Sequence, residues 1–229
     1  MLHQYADDCQ IYIATPANET TSSAVDRLTR CLNDANAWLS VSRLRLNPAK
    51  TQISWLGSKH LVSDIAVTQV PVLASSVTVA DSARDLGVVI DSCLTMADHV
   101  SAICRSGYFQ LRPVAGSLTA DAAKTIVHAF VACRLDYCNS LLHGITDSLF
   151  RWLQSIQNAA ARLITGTRRR DHITPVLRDL HWLPVRRCVN YKLALLVYSR
   201  APPYLVDDCT LASSDKFRRC LRSADVDTG

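Results

Sequence analysis

The stretch His3–Ala14, HQYADDCQIYIA, sets two carboxylates side by side between a tyrosine and an apolar run. From Leu2 to Ala14 the pattern is strand, polar interruption, strand, with Cys9, Ile11 and Ile13 on one face and Gln10, Tyr12 and Ala14 on the other. Neighbouring side chains of a regular strand point to opposite faces, so Asp7 and Asp8 can share one ion only if the backbone turns between them. The pattern predicts a hairpin with Asp7 and Asp8 near its tip. Aspartates favour turns for local reasons too, so the dipeptide admits both a turn reading and a ligand reading. Hard cations such as Mg²⁺ take oxygen ligands and keep several waters, so one or two carboxylates plus substrate phosphates suffice to bind them.

Working outward, Pro16 breaks the strand and Thr20–Ser23 offer caps to a helix with apolar positions Val25, Leu28, Cys31, Leu32, Ala35, Trp38 and Leu39. Asn47 and Pro48 mark a turn. Thr51–Gly57 reads as a strand with Ile53 and Trp55 on one face, and β-rich pieces follow at Ile65–Leu73, Val77–Ala80 and Leu86–Ile90. Beyond Asp91 the period becomes helical, predicting helices at Met96–Val114, Thr119–Leu142, Thr146–Thr165, Ile173–Leu180 and Val185–Ser199. Thr119 stands at a helix start, and Gly144 and Gly166 sit where C-caps belong. The expected fold class is α+β: a small antiparallel sheet with one packed helix over residues 1–92, a mainly helical region over 93–205, and a loose basic tail over 206–229.

The 229 residues are 48% hydrophobic and 20% charged, an ordinary globular balance that excludes a disordered or collagen-like chain. Nine cysteines without CxxC or CxH spacing predict reduced core thiols rather than a zinc or disulfide framework. There is no signal-peptide pattern and no apolar run of the roughly 18 residues that span a bilayer. The expectation is an intracellular chain, nuclear or cytoplasmic and not secreted, with no membrane partner. Residues 1–150 carry 11 Lys/Arg against 13 Asp/Glu, whereas residues 151–229 carry 14 against 7. The basic C-terminal third, densest at Arg168, Arg169 and Arg170, points to a polyanionic partner. Trp38, Trp55, Trp152 and Trp182 fall at helix or strand spacing and are expected in the core, and His99, His172 and His181 are assigned no chemistry.

Several stretches carry a resemblance in the same order along the chain. Tyr5-Ala6-Asp7-Asp8 followed by CQIYIATP resembles the catalytic box of reverse transcriptases, specifically of LINE-type (non-LTR, jockey-like) retrotransposon polymerases. LRLNPAKTQISWLG at 44–57, LGVVIDSCLTMADHV at 86–100, SLTADAAKTIVHAFVACRLDYCNSLLHG at 117–144 and IQNAAARLITGTRRRDHITPVLRDLHWLPVRRCVNYKLALLVY at 156–198 are similar to that family as well. The resemblance covers the chain to about Leu205, and its specificity lies in this collinearity.

The resemblance implies the C-terminal part of a polymerase palm over residues 1–92 and a thumb over the helices that follow. It implies nucleotidyl transfer by two Mg²⁺ (or Mn²⁺) ions, with Asp7 and Asp8 as metal ligands and catalytic residues and Tyr5 beside the primer end. Lys50 matches a lysine that assists the nucleotide phosphates, as a fixed cation stabilises charge developing on pyrophosphate. The implied partners are an RNA template, a DNA primer and deoxynucleotides, with Arg168, Arg169 and Arg170 on phosphates. In the family a further metal-binding aspartate and the fingers come from upstream of the box, where only Met1–Gln4 stand here. The 229 residues by themselves are therefore expected to show little or no polymerase activity. Two other readings remain open: a nucleic-acid-binding helical module using Arg168, Arg169, Arg170, Arg186 and Arg187, and a non-functional element remnant.

Overall fold

The computed structural model describes residues 2–5, 8–16, 19, 21–117 and 120–197. The expected caps Thr20 and Thr119, the carboxylate Asp7 and the tail 206–229 lie outside the described residues. By its contacts the chain divides into two compact units, Met1–Ser117 with Ile145–Ile156 and Leu118–Gly144 with Gln157–Gly229.

The first unit opens with a hairpin of β1 (Leu2–Tyr5) and β2 (Asp8–Ile11). Helix α1 (Thr21–Val41) follows, buries Ala24 and Leu32, and packs against β3. Its first turns are fixed by Glu19, whose carboxylate accepts from Ser23 Oγ at 2.7 Å and from Arg27 Nη1 at 2.8 Å. Ser23 and then Arg27 hold Glu19 below the usual carboxylate range. Past the short α2 (Lys59–Ser63), capped by Ser58, come two more hairpins: β3 (Gln69–Val72) with β4 (Ser75–Thr78), and β5 (Ser82–Asp85) with β6 (Val88–Asp91).

In β3 the alternation is clear, since Val70 and Val72 are fully buried while Gln69 and Pro71 are exposed. Val72 and Ser75 flank a two-residue loop, so the next pair, Pro71↔Ser76, is one whose N–H groups point away from the partner. The missing N–H of Pro71 therefore costs the ladder nothing. Both tight loops need left-handed backbone, supplied by Leu73 (φ 55°) in one and by Leu86 (φ 43°) with Gly87 (φ 88°) in the other.

The three hairpins are separate two-stranded sheets. This corrects the expectation of one small sheet, although the mixed α+β class stands. Thr51–Gly57 is likewise not a strand: it touches β structure through one parallel bridge, Ile53↔Val79. The physical reason lies at the edges. Pro71 offers no outward donor, while the outward N–H of Arg84 goes to Gln52 Oε1 at 2.8 Å and that of Val89 to His99 Nδ1 at 3.3 Å. Side chains occupy places that a further strand would need.

Helix α3 (Ala97–Ser117) packs on β6 and buries Val100, Ile103 and Leu111. Asp91 Oδ1 accepts from Thr95 N at 2.9 Å just ahead of it, which holds the turn through Leu94 (φ 57°) and Met96 (φ 61°). Helix α5 (Asp147–Thr165) buries Leu149, Phe150, Leu153 and Ile156 in this unit, the three-and-four spacing of an apolar stripe.

In the second unit α4 (Ala120–Leu135) ends sooner than its periodicity predicts. Cys138 takes a left-handed conformation (φ 50°) and Asn139–Leu142 form a 3₁₀ turn instead. The turn packs against α7 (Val185–Leu195), where Lys192 Nζ meets Asp136 Oδ2 at 3.3 Å. Helix α6 (Ile173–Asp179) lies between α5 and α7 in sequence, and Gln157 Nε2 donates to Leu183 O at 2.8 Å. Gly166 (φ 67°) follows Thr165 and closes α5 as expected, whereas Gly144 (φ 84°) comes after the 3₁₀ turn and closes no α-helix, because α4 has already ended at Leu135.

Two expectations about the core fail. Trp38 and Trp152 are more than half exposed, at 55% and 51%. The seven described cysteines are free thiols, but none is fully buried and Cys9, Cys31, Cys133 and Cys138 are exposed.

Within the first unit, Gly107 on α3 faces Ile156 on α5 so closely that a Cβ would stand 3.0 Å from Ile156 Cγ2. The Gly107→Val variant, which overpacks this contact, is expected to lose about 1–3 kcal/mol of stability. Urea denaturation of the two proteins measures it.

Candidate metal-binding hairpin and basic surface

The β1–β2 register pairs Leu2 with Ile11, His3 with Gln10, Gln4 with Cys9 and Tyr5 with Asp8. Tyr5 and Asp8 thus close the ladder, with Ala6 and Asp7 between them in sequence. Tyr5 is 70% exposed. Asp8 is exposed as well, and its carboxylate makes no hydrogen bond or ion pair among the described residues. A free, solvent-facing carboxylate suits a hard divalent cation, which prefers oxygen and retains water. Among the described residues, however, no group of three or more His, Cys, Asp or Glu side chains could hold a metal ion. Of the two predicted ligands the described structure therefore supplies Asp8, and Asp7 lies outside it.

Period-two alternation puts Gln10 on the same face of β2 as Asp8. Gln10 is held at both ends of its amide: Tyr12 Oη donates to Gln10 Oε1 at 2.9 Å, and Gln10 Nε2 donates to Asp85 Oδ1 on β5. The ring of Tyr12 also meets His3 edge-on, with centroids 5.9 Å apart. Asp85 thus ties this hairpin to the β5–β6 hairpin. Sequence reasoning gave Asp85 no role, since its partner lies 75 residues away and no local pattern signals such a contact.

Lys50 sits in the turn after α1. Asn47 Oδ1 accepts from Ala49 N at 3.0 Å, and Asn47 O accepts from Lys50 N and Thr51 N at 3.1 Å each. This Asx-type turn exposes Lys50 and leaves its ammonium without an ion pair among the described residues. No hydrogen bond or ion pair joins Lys50 to Asp8.

Arg168, Arg169 and Arg170 belong to the second unit, on the connection between α5 and α6. The connection is shaped by Asp171, whose Oδ2 accepts from Arg168 N at 3.1 Å and whose N donates back to Arg168 O at 3.0 Å. Because Asp171 spends its carboxylate on the backbone, all three guanidiniums are exposed and make no ion pair among the described residues. Arg186 and Arg187, in the first turn of α7, are exposed too. All five arginines are thus accessible to solvent. No described helix is long and apolar enough to cross a membrane.

Comparisons of this chain with protein families, with curated proteins and with solved structures returned no match.

The tether from Asp85 makes a measurable difference to the hairpin. Hydrogen bonds to charged groups contribute about 1.5–3 kcal/mol, so Asp85→Ala is expected to speed amide exchange in Leu2–Ile11 by about tenfold or more. Asp85→Asn, which keeps an acceptor oxygen, is expected to recover most of the protection in the same hydrogen-exchange measurement.

Proposed function

We propose that this chain is part of an RNA-directed DNA polymerase of the non-LTR retrotransposon kind, comprising palm and thumb segments. The observation that carries the reading is the collinear set of sequence resemblances anchored on Tyr5-Ala6-Asp7-Asp8. Three structural facts support it. A β-hairpin pairs Tyr5 with Asp8, the Asp8 carboxylate is accessible and unpaired among the described residues, and mixed α+β structure is followed by long helices.

In this reading Asp7 and Asp8 are the ligands that would hold Mg²⁺, and the ion supplies charge stabilisation at the transferring phosphoryl group. Tyr5 lines the primer end and Lys50 offers its exposed ammonium to phosphate. Two-ion chemistry draws carboxylates from separate segments, and losing a ligand to either ion removes several kcal/mol of transition-state stabilisation at about tenfold in rate per 1.4 kcal/mol. The residues present are proposed to bind metal and nucleic acid.

A second reading, a nucleic-acid-binding module, is favoured by one observation: the exposed run Arg168–Arg170, unpaired among the described residues, with Arg186 and Arg187 exposed on α7. It differs from the first in needing neither aspartate.

Two measurements separate them. Titration of Mn²⁺ by its free-ion EPR signal is expected to show binding that Asp7→Asn or Asp8→Asn weakens at least about tenfold, or ~1.4 kcal/mol. No difference among the three proteins would remove the polymerase reading. Replacing Arg168, Arg169 and Arg170 by alanine is expected to flatten the salt dependence of RNA binding, the slope of log K on log salt falling by about 0.7–0.9 for each phosphate that is no longer neutralised. An unchanged slope would remove those arginines from the interface.

A further inference from the structure

We propose that His99 is an acid-operated release built into the first unit: as neutral imidazole it fastens α3 to the β5–β6 hairpin, and on protonation it lets them part. The argument starts from the ladder. Asp85 and Val88 flank the two-residue loop, so they exchange the ladder bonds, and in the next pair, Arg84↔Val89, both N–H groups point out to the edges. The Val89 N–H is satisfied by His99 Nδ1 at 3.3 Å, from a side chain only 6% exposed. Because Nδ1 accepts, the ring proton is on Nε2 and the ring is neutral. Protonation turns Nδ1 into a donor. Two donors then face each other beside a largely buried ring, and the edge of β6 loses its acceptor.

The surroundings favour the neutral form. Burial and then the Arg84 guanidinium both push His99 below the usual histidine range. The carboxylates on the packed strands are largely engaged. Asp85 on β5 accepts from Gln10, and Asp91 on β6 gives Oδ1 to Thr95 N. Asp91 Oδ2 is buried without a hydrogen bond among the described residues. On α3 itself Asp98 is exposed, and on α5 Asp147 and Arg151 are exposed.

The sign of the effect follows. The folded state holds His99 below its unfolded value of about 6.5, so as pH falls the unfolded chain takes the proton first. The contribution to stability is complete above about pH 6.5 and is lost progressively below it, at no more than about tenfold in the folding constant per pH unit for one proton.

The test uses the full 229-residue chain. Urea unfolding midpoints and protection of the Val89 amide, corrected for intrinsic exchange, are measured from about pH 7.5 to about 5.0, with NMR titration of the His99 ring. The expected result is a flat midpoint above about pH 7, a fall below about 6.5, and loss of Val89 protection over the same range. His99→Asn places a neutral acceptor oxygen where Nδ1 stands and is expected to be flat across the window. Arg84→Gln is expected to move the His99 titration up toward about 6.5. The proposal is overturned if His99→Asn keeps the wild-type pH dependence, if the His99 ring titrates at or above about 6.5 in the folded chain, or if Asp91→Asn abolishes the effect. Should His99→Asn fail to fold, the ring titration and the Val89 protection in wild type decide the matter.

Discussion

A two-stranded ribbon leaves half of its backbone donors and acceptors pointing at nothing, and the first unit contains three such ribbons and no larger sheet among the described residues. What keeps them in place is therefore the way their outer edges are satisfied. The β5–β6 hairpin shows it best: one edge is capped by Gln52 through Arg84 N and the other by His99 through Val89 N. Further bonds run Ser92 N to Asp81 O, Gly57 N to Ser92 O, and Ala80 N to Ile53 O, at 2.8, 3.0 and 2.8 Å. Residues 52–57 are thus fixed by the edges they serve. This explains why an alternating segment fails to become a strand and still has a defined path.

The same constraint organises the helices of this unit. Because His99 is committed to the hairpin edge, α3 lies on β6, and its next turns bury Val100 and Ile103. Further along, Gly107 lets the α3 backbone approach Ile156 on α5, and Tyr108 Oη meets Ser155 Oγ at 2.8 Å beside that contact. Polar edge-capping and close helix packing are consecutive turns of one helix.

Legibility in the sequence divided along the same line. Helices α3, α5 and α6 were readable to within a few residues, because a buried stripe imposes its period on the residues themselves. Helix α4 was overrun because Cys138 breaks it by adopting φ 50°, and a cysteine gives no sign of that where a glycine would. Strand β5 was missed because Ser-Ala-Arg-Asp has no strand-like pattern of its own and is defined by pairing with Val88–Asp91 opposite it. At the candidate site, the hairpin and the exposure of Arg168–Arg170 were readable from local chemistry. Asp85 was not, and the exposure of Trp38 and Trp152 ran against their helical spacing. Each of these depends on what lies across the fold rather than along the chain.

The position of Asp8 also bears on the chemistry proposed for it. The β1–β2 hairpin pairs with no other strand among the described residues, and Gln10, two positions from Asp8, ties it to β5. Catalytic constellations need their groups held to within about 0.5 Å, which a two-stranded ribbon does not by itself supply. An exposed carboxylate on such a ribbon leaves most of a hard ion's coordination to water and phosphate. In the polymerase reading, metal affinity at Asp8 is therefore coupled to nucleic-acid binding. The phosphates complete the ion's shell, the ion neutralises the phosphates, and each partner strengthens the other's binding by the same factor.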